Sequence, residues 1–232
     1  MNLEAKNITV SYGKDTVLCD VSHTFKEGKI TVILGANGCG KTTFIKSVVK
    51  LYAKSGNIAY IPQELYGEVG LTVRDTVALG RYDRHKFLSG ETSEDKKYID
   101  DALSVMNLND KKDRIYDTLS GGEKQRCMAA RAICQNAEWF IMDEPASNLD
   151  VIHTKHILET ARKLVDEEGK SFIIVLHDIN AAASYGDEFI LMKDGKITEV
   201  TSDLTAEGLS KVYGASFDSV KTSSGKTVFY AD

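Results

Sequence analysis

Three stretches stand out when the chain is read for alternation of apolar and polar positions. Ile30 to Leu34, Trp139 to Met142 and Phe172 to Leu176 are short, unbroken apolar runs rich in β-branched and aromatic residues. Runs of that length without alternation predict strands buried on both faces, as in a parallel sheet. Between the second and third runs, Ile157, Leu158, Ala161, Leu164 and Val165 recur at the spacing of one helix face, and Gly169 supplies a stop. Lys41 to Lys50 has helical composition directly after the first run. Buried strands separated by helices predict an α/β fold with a mainly parallel core.

The flanks read differently. Ile8-Thr9-Val10 alternates and Glu27-Gly28-Lys29 makes a turn, so the opening predicts strands and turns. In the tail, Phe189–Met192 and Lys196–Val200 flank Asp194-Gly195, a hairpin signal, and a second hairpin turns at Ser224-Gly225. Val73 to Ala137 lacks a comparable apolar strand and predicts helices, with a polar break at Ser89 to Asp95.

Composition narrows the class. The 232 residues suffice for one large core with room for a smaller subdomain. A net charge of −5 weighs against a nucleic-acid-binding surface, which needs clustered Lys and Arg. The opening Met1-Asn2-Leu3-Glu4-Ala5-Lys6 predicts no secretory signal peptide, and no apolar run approaches the ~20 residues that cross a bilayer. Cys19, Cys39, Cys127 and Cys134 form no CxxC pair and read as reduced structural thiols.

The chemistry begins where the first strand ends. Gly35-Ala36-Asn37-Gly38-Cys39-Gly40-Lys41-Thr42 fits GxxxxGK[ST] between a strand and a helix. Its glycines let successive N–H groups face one concavity, and the helix start adds partial positive charge there. Lys41 supplies a full charge to the β- and γ-phosphates, the Thr42 hydroxyl suits Mg²⁺, and Thr43 is a further phosphate contact. A chance match in a chain of this length is roughly one in a hundred. The motif marks a nucleotide-binding protein.

Asp143-Glu144 closes the second apolar run, where the carboxyl ends of parallel strands gather ligands. Asp143 reads as a holder of the magnesium shell and Glu144 as the group that polarises the attacking water. His177 ends the third run and reaches the same edge.

Leu119-Ser120-Gly121-Gly122-Glu123-Lys124-Gln125-Arg126 resembles the signature motif of ABC ATPases, in the order that family shows. Further matches span the chain from Tyr12 to His177. Tyr12 resembles the aromatic that stacks on adenine. Gln63, in Tyr60-Ile61-Pro62-Gln63, resembles the glutamine that senses magnesium and the membrane partner. Ser147-Asn148-Leu149-Asp150 resembles the D-loop, and His177-Asp178 the switch histidine.

The resemblance implies a P-loop NTPase core with a mainly parallel sheet, an N-terminal antiparallel β subdomain and an inserted helical subdomain. On that reading residues 1–232 form one ABC ATPase domain, with 1–72 and 138–232 as the nucleotide-binding core and 73–137 as the helical part. It further implies ATP and Mg²⁺ as cofactors, with Ser120, Gly121 and Gly122 of one copy binding the γ-phosphate held by the other. The partners implied are a second copy, integral membrane permease subunits and, indirectly, an extracytoplasmic solute-binding protein. The implied location is cytoplasmic, peripheral on the inner face of the membrane.

Leu71 to Asp75, Val77 to Tyr82, Asp178 to Ala183 and Val212-Tyr213-Gly214 are similar to ATPases of importers for iron–siderophores, haem and cobalamin. Asp83, standing where that group often has proline, and a short Lys41-to-Gln63 interval of 22 residues depart from it. A short interval ending in Tyr-Ile-Pro-Gln is also similar to zinc and manganese importers. The cluster Arg81, Arg84, His85 and Lys86 reads as a solvated face, with a docking surface as the alternative. Two other classes remain: a soluble ABC ATPase, disfavoured by the lack of a coiled-coil insertion, second cassette or basic stripe, and a non-hydrolysing regulator, disfavoured by Glu144 and His177.

Overall fold

A computed structural model describes residues 2–53, 55–63, 70–84, 90–145, 151–223 and 225–231. The chain divides into two compact units, Met1–Leu51 with Arg162–Asp232, and Tyr52–Ala161.

The first unit opens with β1 (Leu3–Tyr12) and β2 (Asp15–Phe25), an antiparallel pair. Its register shifts three times between Ala5 and Ser11, and Asn7 and, on the facing strand, Asp20 lie at positive φ, where short polar side chains tolerate the left-handed region. β3 (Ile30–Leu34) follows, every residue buried, and then α1 (Lys41–Tyr52), whose Phe44, Ile45 and Val48 are sealed in the core.

The second unit contains β4 (Ile58–Ile61), α2 (Val73–Ala78), α3 (Ser93–Val105), α4 (Gly121–Cys134) and β5 (Trp139–Asp143). β4 and β5 pair in parallel, Ile61 opposite Met142. All three helices start on a capping box, Thr72 with Asp75, Thr92 with Asp95 and Ser120 with Glu123, which satisfies two otherwise orphaned backbone donors at each start. The helices share a core of Val73, Val77, Ile99, Leu103, Cys127 and Ala130. Gly80 lets the short 3₁₀ turn Leu79–Arg84 lie on α4, because a Cβ there would run into the Arg131 carbonyl oxygen.

Helix α5 (Val151–Glu168) carries the chain out of the second unit and back to the first. Ile157, Leu158, Ala161 and Val165 form its buried face, and Gly169 ends it at φ 67. The first unit then adds β6 (Ser171–Val175), α6 (Ile179–Tyr185), β7 (Glu188–Lys193), β8 (Lys196–Thr201), α7 (Ala206–Tyr213), β9 (Phe217–Lys221) and β10 (Thr227–Ala231). β3 lies between β6 and β7, parallel to both, and β8 returns antiparallel along β7. Positive φ at both Asp194 and Gly195 gives the tight β7–β8 turn its twist. No helix among the described residues is long and apolar enough to cross a membrane.

Three elements escaped the hydropathy pattern. β4 is four residues long, and α6 and α7 are seven and eight, too short for periodicity to separate them from loops. The polar break predicted at Ser89 to Asp95 runs into α3, because Thr92, Ser93 and Asp95 are its cap and first turn rather than loop.

Candidate functional site

In the first unit the loop from Gly35 to Thr42 leaves β3 and enters α1. Gly38 and Gly40 sit at φ 77 and 104, and a Cβ on Gly35 would strike the Met192 carbonyl oxygen. Only glycine satisfies both demands. Asn37 and Gly38 are exposed at the tip, while Cys39 is tucked inward, its thiol pushed up chiefly by burial. Lys41 is 4% exposed, and its Nζ donates to the carbonyl oxygens of Gly35 at 2.8 Å and Ala36 at 3.1 Å. The ammonium thus rests on its own loop, on neutral acceptors that an anionic phosphate can displace. Thr42 and Thr43 are half-buried in the first turn of α1. Tyr12 ends β1 with 64% of its surface exposed, which suits stacking on a flat ring.

His177 belongs to the same edge. The β3–β6 register pairs Ile33 with Val175, so Gly35 and His177 each lie two residues beyond it. The Leu176 N–H donates to the Ile33 carbonyl at 3.3 Å. His177 is exposed, and Asp178 after it caps α6, accepting from the N–H groups of Asn180 and Ala181 at 2.9 and 3.0 Å.

In the second unit β5 delivers Asp143, fully buried, and Glu144 immediately after it. Glu144 sits at φ 49, left-handed backbone that a non-glycine residue occupies at a cost and that recurs at functional sites. Gln63, two residues beyond β4, donates from Nε2 to Glu144 Oε2 at 2.6 Å. The parallel register Ile61–Met142 sets both residues at one level. Tyr60, singled out in sequence only as part of the glutamine's motif, stands beside Asp143. Burial first and then the Asp143 carboxylate push its phenol well above the usual tyrosine range. The buried Asp143 carboxylate and the Gln63 amide oxygen are hard oxygen donors of the kind Mg²⁺ takes.

The signature residues start α4. Ser120 and Gly121 are exposed and Gly122 is half-buried. The Ser120 N–H and hydroxyl both donate to Glu123 Oε2, at 2.8 and 3.0 Å. The N–H contact is the main reason Glu123 lies below the usual carboxylate range.

One expectation is corrected. Arg81 is neither solvated nor presented for docking. It is 8% exposed, and its Nε donates to Asp95 Oδ1 at 2.8 Å while its guanidinium lies 4.3 Å from the Tyr98 ring centre. The charge count had no means of finding a partner 14 residues away. His85, Lys86 and the segment Ser147 to Asp150 lie outside the described residues, as does the side chain of Arg84.

Comparison with known proteins places these features in context. A family model described as "ABC transporter" matches residues 18–147. The petrobactin import ATP-binding protein YclP of Bacillus subtilis (strain 168) is 35% identical over 218 residues, covering 85% of each chain. The manganese transport system ATP-binding protein MntB of the same organism is 34% identical over 231 residues, covering 91% of this chain and 92% of its own. The hemin import ATP-binding protein HmuV of Bordetella parapertussis (strain 12822) is 32% identical over 249 residues and covers 94% of each. The dimeric structure of MJ0796, a bacterial ABC transporter cassette, superposes with a TM-score of 0.79 at 25% identity, over 88% of this chain and 100% of that one.

Proposed function

The chain belongs to the ABC transporter family of ATPases, and from that membership we propose that it powers an importer of metal chelates, of the iron–siderophore, haem or cobalamin class, by binding and hydrolysing MgATP between two copies of itself. The observation that carries the hydrolytic part is the pairing at the end of β5: a buried Asp143 followed by Glu144, whose carboxylate is held by Gln63 at 2.6 Å. A protein that only bound nucleotide has no use for a strained, positioned carboxylate next to a buried one.

Each residue then has a task. Gly35, Asn37, Gly38, Cys39 and Gly40 shape the loop whose N–H groups donate to phosphate oxygens, and Lys41 exchanges its two carbonyls for the β- and γ-phosphates. Tyr12 stacks on adenine. Thr42, Asp143 and Gln63 would hold Mg²⁺, which when bound supplies charge neutralisation on the phosphates. Glu144 exchanges Gln63 for the attacking water and accepts its proton, and His177 holds the γ-phosphate edge. Ser120, Gly121 and Gly122 on the start of α4 complete the pocket of the second copy, the hydroxyl and N–H groups donating hydrogen bonds to the anion.

The import class draws support from the petrobactin and hemin relatives. A manganese importer is the second reading, favoured by MntB matching this chain almost end to end and by the short Lys41-to-Gln63 interval. Either way the partners are permease subunits in the membrane, the chain lying on the inner face, with a solute-binding protein outside.

The test is Glu144→Gln. That variant should bind MgATP, lose turnover by roughly 10²–10⁴-fold, as loss of a general base does, and elute as an ATP-dependent dimer in gel filtration. Wild-type turnover in that variant would falsify the role given to Glu144. Recovery of the protein on ribosomes or DNA instead of with polytopic membrane proteins would remove the transport reading.

A further inference from the structure

Gly35 is buried at the point where the chain leaves the parallel ladder, and its N–H donates to the Tyr213 hydroxyl oxygen at 3.2 Å. The two residues are 178 positions apart. Tyr213 is the last residue of α7, and one side-chain contact and one backbone turn fix its place. Its ring lies 5.6 Å from that of Phe217, and Gly214 beyond it turns the chain through φ 70, its N–H returning to the Ser210 carbonyl at 2.9 Å. Ser210 also accepts the Phe217 N–H on its hydroxyl at 2.9 Å, so helix end, ring and the first residue of β9 form one knot.

The knot continues to the other phosphate-side element of this unit. Phe217 pairs with Ala231 across the β9–β10 hairpin. In β10, Phe229 exchanges two hydrogen bonds with Asn180 of α6, its N–H donating to Oδ1 at 2.8 Å and its carbonyl accepting from Nδ2 at 3.0 Å. Asn180 lies in the turn capped by Asp178, three residues after His177. The C-terminal segment therefore grips the phosphate loop at Gly35 and the histidine turn at Asn180.

From this geometry we infer that Tyr213 is a positioning residue for the phosphate loop, orienting Gly35 so that Lys41 can leave it for nucleotide. The inference rests on the phosphate-loop reading above. Gly35 spends its N–H on Tyr213 and its carbonyl on Lys41 Nζ, at 2.8 Å. In this structure both contacts hold the residue. When Lys41 turns to the phosphates the carbonyl contact is given up, and the tyrosine hydroxyl is left to fix the peptide. Its loss therefore weighs more on the bound state than on the free one, and only such a difference changes affinity.

The experiment compares wild type, Tyr213→Phe and Lys41→Ala. It measures binding of Mg-AMPPNP by calorimetry, steady-state ATPase kinetics, and the amide signals of ¹⁵N-labelled protein. Tyr213→Phe removes one oxygen and keeps the ring on Phe217. We expect Kd and KM to rise roughly three- to tenfold, the scale of one neutral hydrogen bond, with kcat within about twofold, and the Gly35 amide proton to shift upfield. A Kd and KM equal to wild type, while Lys41→Ala abolishes binding, overturns the role of Tyr213 and leaves the phosphate-loop reading intact. Undiminished binding by Lys41→Ala would instead overturn that reading itself. Should Tyr213→Phe not fold, amide exchange in the wild type decides. A Gly35 N–H much slower to exchange than that of Gly38, at the exposed tip, supports the contact, and equal rates overturn it.

Discussion

Replacing Arg81 by alanine separates a structural cation from a surface one by magnitude. The guanidinium and the Asp95 carboxylate are 9% and 3% exposed in their side chains and 2.8 Å apart. Arg81 Nη1 also donates to the Cys134 carbonyl at 3.3 Å. Asp95 is not free to move once its partner is gone, since its Oδ2 accepts the Thr92 N–H at 3.0 Å and the Thr92 hydroxyl at 2.7 Å, the cap of α3. Removing one member of such a pair strands the other charge in the interior and costs about 3–5 kcal/mol. An exposed arginine would cost under about 0.5 kcal/mol. For a chain of this size, each kcal/mol moves Tm by roughly 2–4 °C, so Arg81→Ala should melt about 6–20 °C below wild type in scanning calorimetry. The double variant with Asp95→Asn removes the stranded charge while keeping the cap, and should recover about 1–3 kcal/mol as a coupling energy. A melting point within about 2 °C of wild type, or strictly additive effects in the cycle, would refute the buried pair.

Two further outcomes follow from buried ionisable groups. Burial, partly opposed by Glu188 at 3.2 Å, pulls His23 below 6.5, and Lys26 acts in the same direction as burial. The unfolded chain then takes up this proton before the folded one does, so stability is full above about pH 6.5 and declines as pH falls below it. Melting points between pH 7.5 and 5.5 should fall less in His23→Gln than in wild type, and an unchanged slope would show that His23 is not the group responsible. Cys127 and Cys134 are buried thiols pushed up to about 12, whereas Cys19 is exposed. A disulfide reagent at pH 8 should modify Cys19 quickly and leave Cys127 and Cys134 intact until denaturant is added. Mass-spectrometric detection of native Cys127 adducts would contradict the packing of α4.

The phosphate loop, the acidic strand end and the signature serine were legible because each is a local device. A strand must end, glycines must turn, and a helix must begin within eight residues, so the spacing is written contiguously from Gly35 to Thr42. The same holds for Ser120, whose cap partner Glu123 is three residues on. Apolar runs likewise announced β3, β5 and β6, because burial on both faces leaves no polar position in the pattern.

Contacts between distant positions were decided only by tertiary structure. Gln63 meets Glu144 across 81 residues, Arg81 meets Asp95 across the gap between two elements, and Tyr213 meets Gly35 across 178. A side chain's neighbours in such pairs depend on which strand lies beside which and on the direction a helix end takes. The sequence names residues capable of the chemistry, since composition and spacing set what a backbone can do locally. Which hydroxyl supports which amide, and which charge is sealed rather than offered, is settled by packing, where burial turns an ordinary arginine into a structural one.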